Sequence, residues 1–153
     1  MSGKRPLALV TGARRGIGAA IAIELGAGGF DVAFTDREAE GSESVLAALV
    51  NVGAKGQFFE SDLSAVEGHD ALVSQVTAWG GPLVALVNNA GIGSPSRGDL
   101  LDVTPQALDL VMGVNLRGTF FLTQAVARHM TSVASEHRRA IVTVSSVSAE
   151  MAS

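Results

Sequence analysis

Short unbroken apolar runs alternate along the chain with longer stretches in which apolar residues return every three or four positions. The runs Leu7-Ala8-Leu9-Val10, Val32-Ala33-Phe34, Leu83-Val84-Ala85-Leu86-Val87 and Ile141-Val142-Thr143-Val144 carry no charge, as strands covered on both faces do. Together with the run at Phe58-Phe59 they predict strands over 7–11, 31–35, 56–60, 83–87 and 140–144. The periodic stretches predict helices over 16–27, with Ile17, Ile21 and Leu25 at helical spacing, over 42–50, and over 65–78, where Leu72, Val73, Val76 and Trp79 share a face. Gly80-Gly81-Pro82 closes the last of these. Thr104-Pro105 reads as an N-cap with proline at the first helical position. The helix it opens is expected to end or bend near Gly113, with a second helical stretch over 115–130, and residues 91–103 read as a long loop.

Strand and helix in strict alternation imply a parallel sheet, and right-handed crossovers turn it into an α/β doubly wound sheet. Its first and fourth strands are then neighbours, with the strand order reversing between them. Ligands of such sheets lie in the crevice at the reversal, outside the carboxyl ends of the strands. Three polar clusters stand at such ends: Thr11 to Gly18, Asn88-Asn89-Ala90-Gly91, and Ser145-Ser146.

The first cluster, Thr11-Gly12-Ala13-Arg14-Arg15-Gly16-Ile17-Gly18, links a strand to a helix through three glycines. A chain that turns this sharply while letting a diphosphate approach its backbone needs residues without a Cβ. The N–H groups and positive end of the following helix then face the anion.

Composition narrows the picture. The 153 residues, 47% of them apolar, suffice for a single domain over 1–153. The formal charge of −4 is made of mixed signs without a basic patch, so neither nucleic acid nor a membrane is an expected partner. The absence of cysteine removes thiolate chemistry and fits a reducing compartment. The apolar run after Met1-Ser2-Gly3-Lys4-Arg5-Pro6 is too short for a secretory h-region, and a cytoplasmic location is expected. His69, His129 and His137 lack metal spacing. No metal site is expected, and each histidine reads as a surface or edge residue. Arg138 and Arg139 read as caps for the preceding helix dipole.

Five motifs in order give the chain a resemblance to the short-chain dehydrogenase/reductase family, NAD(P)-dependent oxidoreductases on a Rossmann-type sheet. They are Thr11-Gly12-x-x-x-Gly16-x-Gly18, Asp62-Leu63 after the third strand, Asn88-Asn89-Ala90-Gly91 after the fourth, Val114-Asn115, and Ser145-Ser146 after the fifth. The overall look is similar to 3-oxoacyl-(acyl carrier protein) reductases. The resemblance implies cofactor contacts from Gly12, Arg14, Arg15, Gly16, Ile17 and Gly18 at the phosphates and from Asp36 and Arg37 at the adenosine ribose. It implies further contacts from Asp62 and Leu63 at adenine and from Asn89, Ala90 and Gly91 along the floor. It also implies catalytic roles for Asn115 and Ser146, a small or acyl-type carbonyl substrate, and a homodimer or homotetramer formed through the helix bearing Phe120, Phe121, Val126 and Met130.

Asp36 favours NAD, because a carboxylate accepts from a ribose 2′-hydroxyl and repels a 2′-phosphate. Arg15 and Arg37 stand where the resemblance places cations for NADP. The family's Tyr-x-x-x-Lys is missing: the chain contains no tyrosine, and its only lysines are Lys4 and Lys55. The protein is therefore expected to continue past Ser153 with that motif. The alternative is a catalytically inert dinucleotide-binding fragment, and an epimerase or dehydratase using the same cofactor stays open within the family. Substrate-side charges are expected from Arg97 and Asp99 in the long loop, and Asn88 is expected to tie neighbouring strands together.

Overall fold

The computed structural model describes residues 4–95 and 98–146. Five parallel strands, β1 (Leu7–Thr11), β2 (Asp31–Asp36), β3 (Gly56–Glu60), β4 (Leu83–Asn88) and β5 (Ala140–Thr143), form one sheet in the order β3-β2-β1-β4-β5. The reversal falls between β1 and β4, as the alternation of elements requires. β2 and β4 each run one residue beyond the expected bounds. Asp36 pairs with Glu60 and Asn88 with Thr143, so both polar residues are fixed by a ladder rather than by a loop.

Helices cover both faces. On one side α1 (Gly16–Ala27) and α2 (Ser42–Asn51) close over Val10, Val32, Phe34 and Val87. On the other, α3 (His69–Gly80) and α5 (Thr119–Ser132) close over Leu7, Leu9, Leu83 and Leu86, with Leu72, Val76, Leu122 and Val126 from the helices. Successive strand residues point to opposite faces, so a run such as Leu9-Val10 feeds both cores at once.

The stripe Ile17, Ile21, Leu25 is not the buried face of α1. Gly18, Ala22 and Gly26 are buried, and Ile17 is 66% exposed. At Gly26 the helix packs closely on α2: a Cβ there would lie 2.7 Å from Leu49 Cδ2. The branched residues flank the contact and line a shallow apolar groove with Phe30.

Two further elements depart from expectation. The helix placed over 65–78 begins as a 3-10 turn at Val66–Gly68 and becomes α-helical only at His69. Upstream, Asp62 Oδ1 accepts from both the amide and the hydroxyl of Ser64, at 2.9 and 2.7 Å, and this local bonding competes with helix formation. Near Gly113, where the helix is expected to end or bend, it does not end: a π-helical turn, Gly113–Gly118, joins α4 (Pro105–Met112) to α5. Thr104 Oγ1 caps α4 by accepting from Ala107 N at 3.2 Å, as its sequence indicates. In the long loop, Asp99 caps a 3-10 turn at Leu100–Asp102, accepting from Leu101 N at 3.0 Å. Its carboxylate thus has a local structural partner. Arg97 and residues 147–153 lie outside the described residues.

Two histidines are less peripheral than their spacing suggests. His69 is 2% exposed, and its Nε2 meets the Leu63 carbonyl at 3.1 Å. His129 Nε2 accepts from Leu83 N at 3.2 Å, satisfying the first amide of β4. Periodicity cannot reveal such contacts, which depend on where α3 and α5 land on the sheet. Arg139 donates to the Val133 carbonyl just past α5, in line with a capping role. Among the described residues no helix is long and apolar enough to cross a membrane.

Candidate functional site

The site is built where the carboxyl ends of β1 and β4 meet. Thr11 ends β1 almost fully buried, and its hydroxyl oxygen accepts from two consecutive amides of the loop after β4, Asn89 N at 3.1 Å and Ala90 N at 3.0 Å. In return Asn89 Nδ2 donates to the carbonyls of Thr11 and Gly12, each at 3.0 Å. The two loops are stitched into one floor.

The glycines follow from this closeness. Gly12 has φ of 63°, and a Cβ there would lie 2.7 Å from the Ala90 Cα. Gly18 sits one turn into α1 against the Gly12 carbonyl and Asn89 Nδ2, where a side chain would push the helix off the loop. The N-cap residue of α1, Arg15, makes no side-chain capping bond, so the first amides of that helix have no internal acceptor. They form an anion-receptive surface.

Around this floor lies a cleft of about 590 Å³. Of the residues assigned to it from sequence, Gly12, Arg14, Arg15, Gly16, Asp36, Arg37, Asp62, Leu63, Asn89, Ala90 and Gly91 line it. Gly18 is beneath the floor, and the Ile17 side chain points instead to the outer groove on α1. Val114, from the motif Val114-Asn115, also lines the cleft, as do Thr35, Glu38, Ser61, Ile92 and Leu122, which belong to none of the five motifs. Each of the latter stands at or beyond a strand end or on the helix facing one, and their shared signal is that position rather than any motif.

At the far end Asp36 Oδ1 accepts from Arg37 N at 2.8 Å, while Oδ2 has no protein partner among the described residues. A ligand hydroxyl can donate to that free oxygen. Asp62 is held below the usual carboxylate range chiefly by the Ser64 hydroxyl, then by the Ser64 amide, with the Arg37 charge adding to both. Burial pushes the His69 imidazole below its ordinary value, behind Leu63.

Asn115 occupies the π-helical turn and makes a two-point contact with the backbone of Ile92, at the near end of the cleft. Both ends of its amide are consumed there. Ser146 is exposed beyond β5 and does not line the cleft. The amide of Val144 donates to the Asn88 carbonyl at 2.9 Å, which continues the β4 to β5 pairing to within two residues of it. Asn88 does tie elements together, but through hydroxyls: its Nδ2 donates to Thr123 Oγ1 at 2.9 Å and Thr143 Oγ1 at 3.4 Å.

An elongated cleft with an anion-receptive middle, a hydroxyl acceptor at one end and a polar strand end at the other suits a dinucleotide. The comparisons agree in kind. A short-chain dehydrogenase/reductase of Armillaria gallica is 39% identical over 128 residues, which are 82% of this chain and 48% of that protein. A 3-oxoacyl-[acyl-carrier protein] reductase from Brucella melitensis, solved with NAD, superposes with a TM-score of 0.94 at 51% identity, covering 99% of this chain and 60% of that one. A short chain dehydrogenase from Burkholderia cenocepacia, solved with NADP, gives 0.84 at 38% identity, covering 98% and 58%. The chain thus spans about half the length of the curated relatives it matches. The family model for the short chain dehydrogenases matches residues 6–153, and the chain belongs to that family.

Proposed function

We propose that this chain is the dinucleotide-binding part of a cytoplasmic NAD(P)-dependent oxidoreductase acting on a carbonyl or alcohol substrate, similar to 3-oxoacyl-(acyl carrier protein) reductases. The observation that carries the reading is the floor made by Thr11, Gly12, Asn89 and Ala90 beside the uncapped start of α1. Gly12, Gly16 and the first amides of α1 would hold the diphosphate, Asp36 the adenosine ribose, and Asp62 with Leu63 the adenine. The free Oδ2 of Asp36 favours NAD over NADP. When bound, nicotinamide supplies or accepts the hydride.

Ser146 would donate a hydrogen bond to the substrate oxygen, and Asn115 would act by positioning the loop at Ile92. A reduction also needs a proton donor, and the chain has no tyrosine to serve. We assign that role to a Tyr-x-x-x-Lys motif in the remainder of the whole protein, in keeping with the greater length of its relatives. An apolar stripe of Leu108, Met112, Leu116 and Phe120 is exposed along α4, the π turn and α5. It supports self-association of the protein through this face.

The test is titration with NADH and NADPH followed by nicotinamide fluorescence. Saturable binding of at least one is expected. Absence of binding of both at millimolar concentration overturns the reading. On the whole protein, a panel of carbonyl substrates followed at the nicotinamide absorbance tests the reaction.

A further inference from the structure

We propose that Glu38 sets the dinucleotide preference by holding Arg14 away from the position of a 2′-phosphate, an inference that rests on reading the cleft as a dinucleotide site. Arg14 is the cation of the glycine loop nearest Asp36, yet both terminal nitrogens of its guanidinium are already engaged, and only the buried Nε lacks a hydrogen bond. One terminal nitrogen donates to Glu38 Oε2 at 3.0 Å, the other donates to the Glu40 carbonyl at 2.9 Å, and Nε stands 3.7 Å from Asp36 Oδ1. The two terminal nitrogens therefore turn toward the segment after β2, and Nε toward the last residue of β2. The Arg14 side chain is only 17% exposed as a result, whereas that of Glu38 is 58% exposed at the rim.

The charges immediately around Arg14 favour a neutral hydroxyl there. Arg14 faces two carboxylates, Asp36 and Glu38, so the trio carries a net negative charge before any ligand arrives. A phosphate ester brought here would meet Asp36 and an arginine whose donors point elsewhere. Guanidinium binds phosphate well when its two-pronged edge is available. Glu38 occupies one prong and the Glu40 backbone the other. Arg15 and Arg37 are exposed and in no ion pair among the described residues, so they supply whatever attraction for a 2′-phosphate remains.

Glu38 is thus a specificity residue that acts through Arg14. The experiment compares NADH and NADPH affinities for the protein with Glu38→Ala, Glu38→Gln and the double variant Arg14→Ala/Glu38→Ala, with thermal midpoints read alongside. Glu38→Ala is expected to raise the NADPH to NADH affinity ratio by roughly tenfold. Glu38→Gln, which removes the charge and keeps an acceptor, is expected to fall between Glu38→Ala and the parent. The gain is expected to vanish in the double variant, since it requires the released guanidinium. A ratio within twofold of the parent in both single variants overturns the proposal, and so does a gain that persists without Arg14. If the parent protein binds neither dinucleotide, the cleft reading itself fails, an outcome distinct from binding with an unchanged ratio.

Discussion

Asn115 and Ile92 are joined at both ends of one amide: Ile92 N donates to Asn115 Oδ1, and Asn115 Nδ2 donates to the Ile92 carbonyl, each at 2.8 Å. The π turn projects this side chain toward the segment after β4, so the helix and the cleft wall hold one another. Such turns are frequent at functional sites. Asn115→Ala removes both bonds, worth about 1–2 kcal/mol together at an exposed position. The Ile92 amide should then exchange with solvent roughly tenfold faster. An unchanged exchange rate in Asn115→Ala would contradict the role of this contact.

Thr11 offers a sharper test, because one hydroxyl oxygen serves two amides. Thr11→Val keeps the shape but leaves Asn89 N and Ala90 N without their acceptor, a loss of about 2–4 kcal/mol in urea unfolding. Thr11→Ser restores the oxygen and should recover most of it. A loss in Thr11→Ser with little or none in Thr11→Val would show that the methyl group, rather than the oxygen, matters here.

Gly12→Ala should be costly for two reasons at once. Its φ of 63° is disfavoured for an L-residue by about 1–2 kcal/mol, and the new methyl would collide with the Ala90 backbone. Lower thermal stability and lost dinucleotide binding are expected together. A variant that kept parental affinity would mean that the floor yields more readily than its hydrogen bonds suggest.

The buried imidazole of His69 makes stability depend on pH. Its pKa is depressed by burial in the native state relative to about 6.5 when unfolded, so the unfolded chain binds the proton more tightly. Stability is then complete above pH ~6.5 and is lost as the pH falls through the native pKa. His129 is depressed by burial and by Arg139, and acts in the same direction. Urea unfolding at descending pH should show the decline, and His69→Gln, which can still donate to the Leu63 carbonyl, should make it shallower. A parallel decline in the variant would remove His69 from the account.

The exposed stripe on α4 and α5 predicts that Leu116→Lys or Phe120→Glu shifts the protein toward monomers in sedimentation. Burying an aromatic side chain of that size contributes about 2–3 kcal/mol per subunit. No change in sedimentation on either substitution would mean that this face is not a contact between copies.

Local chemistry was enough to read the order and type of the elements, the reversal between β1 and β4, and the glycine loop, because apolar period, turn residues and the Thr104-Pro105 cap act over a few residues. Most of the cleft lining, from Gly12 to Asp62 and Gly91, was implied by the family resemblance, whose motifs stand at strand ends that the pattern marks. What the tertiary structure decided is everything that depends on distance between segments far apart in the chain. The small residues Gly18, Ala22 and Gly26, rather than the branched ones, are the buried face of α1, because Gly18 is pressed against the glycine loop and Asn89 and Gly26 against Leu49 of α2. His69 is buried because α3 brings it behind Leu63, and Arg14 is turned toward Glu38 because the glycine loop and the segment after β2 meet across the top of the sheet. No periodicity carries those contacts, since they arise only when packing brings remote groups within hydrogen-bonding reach.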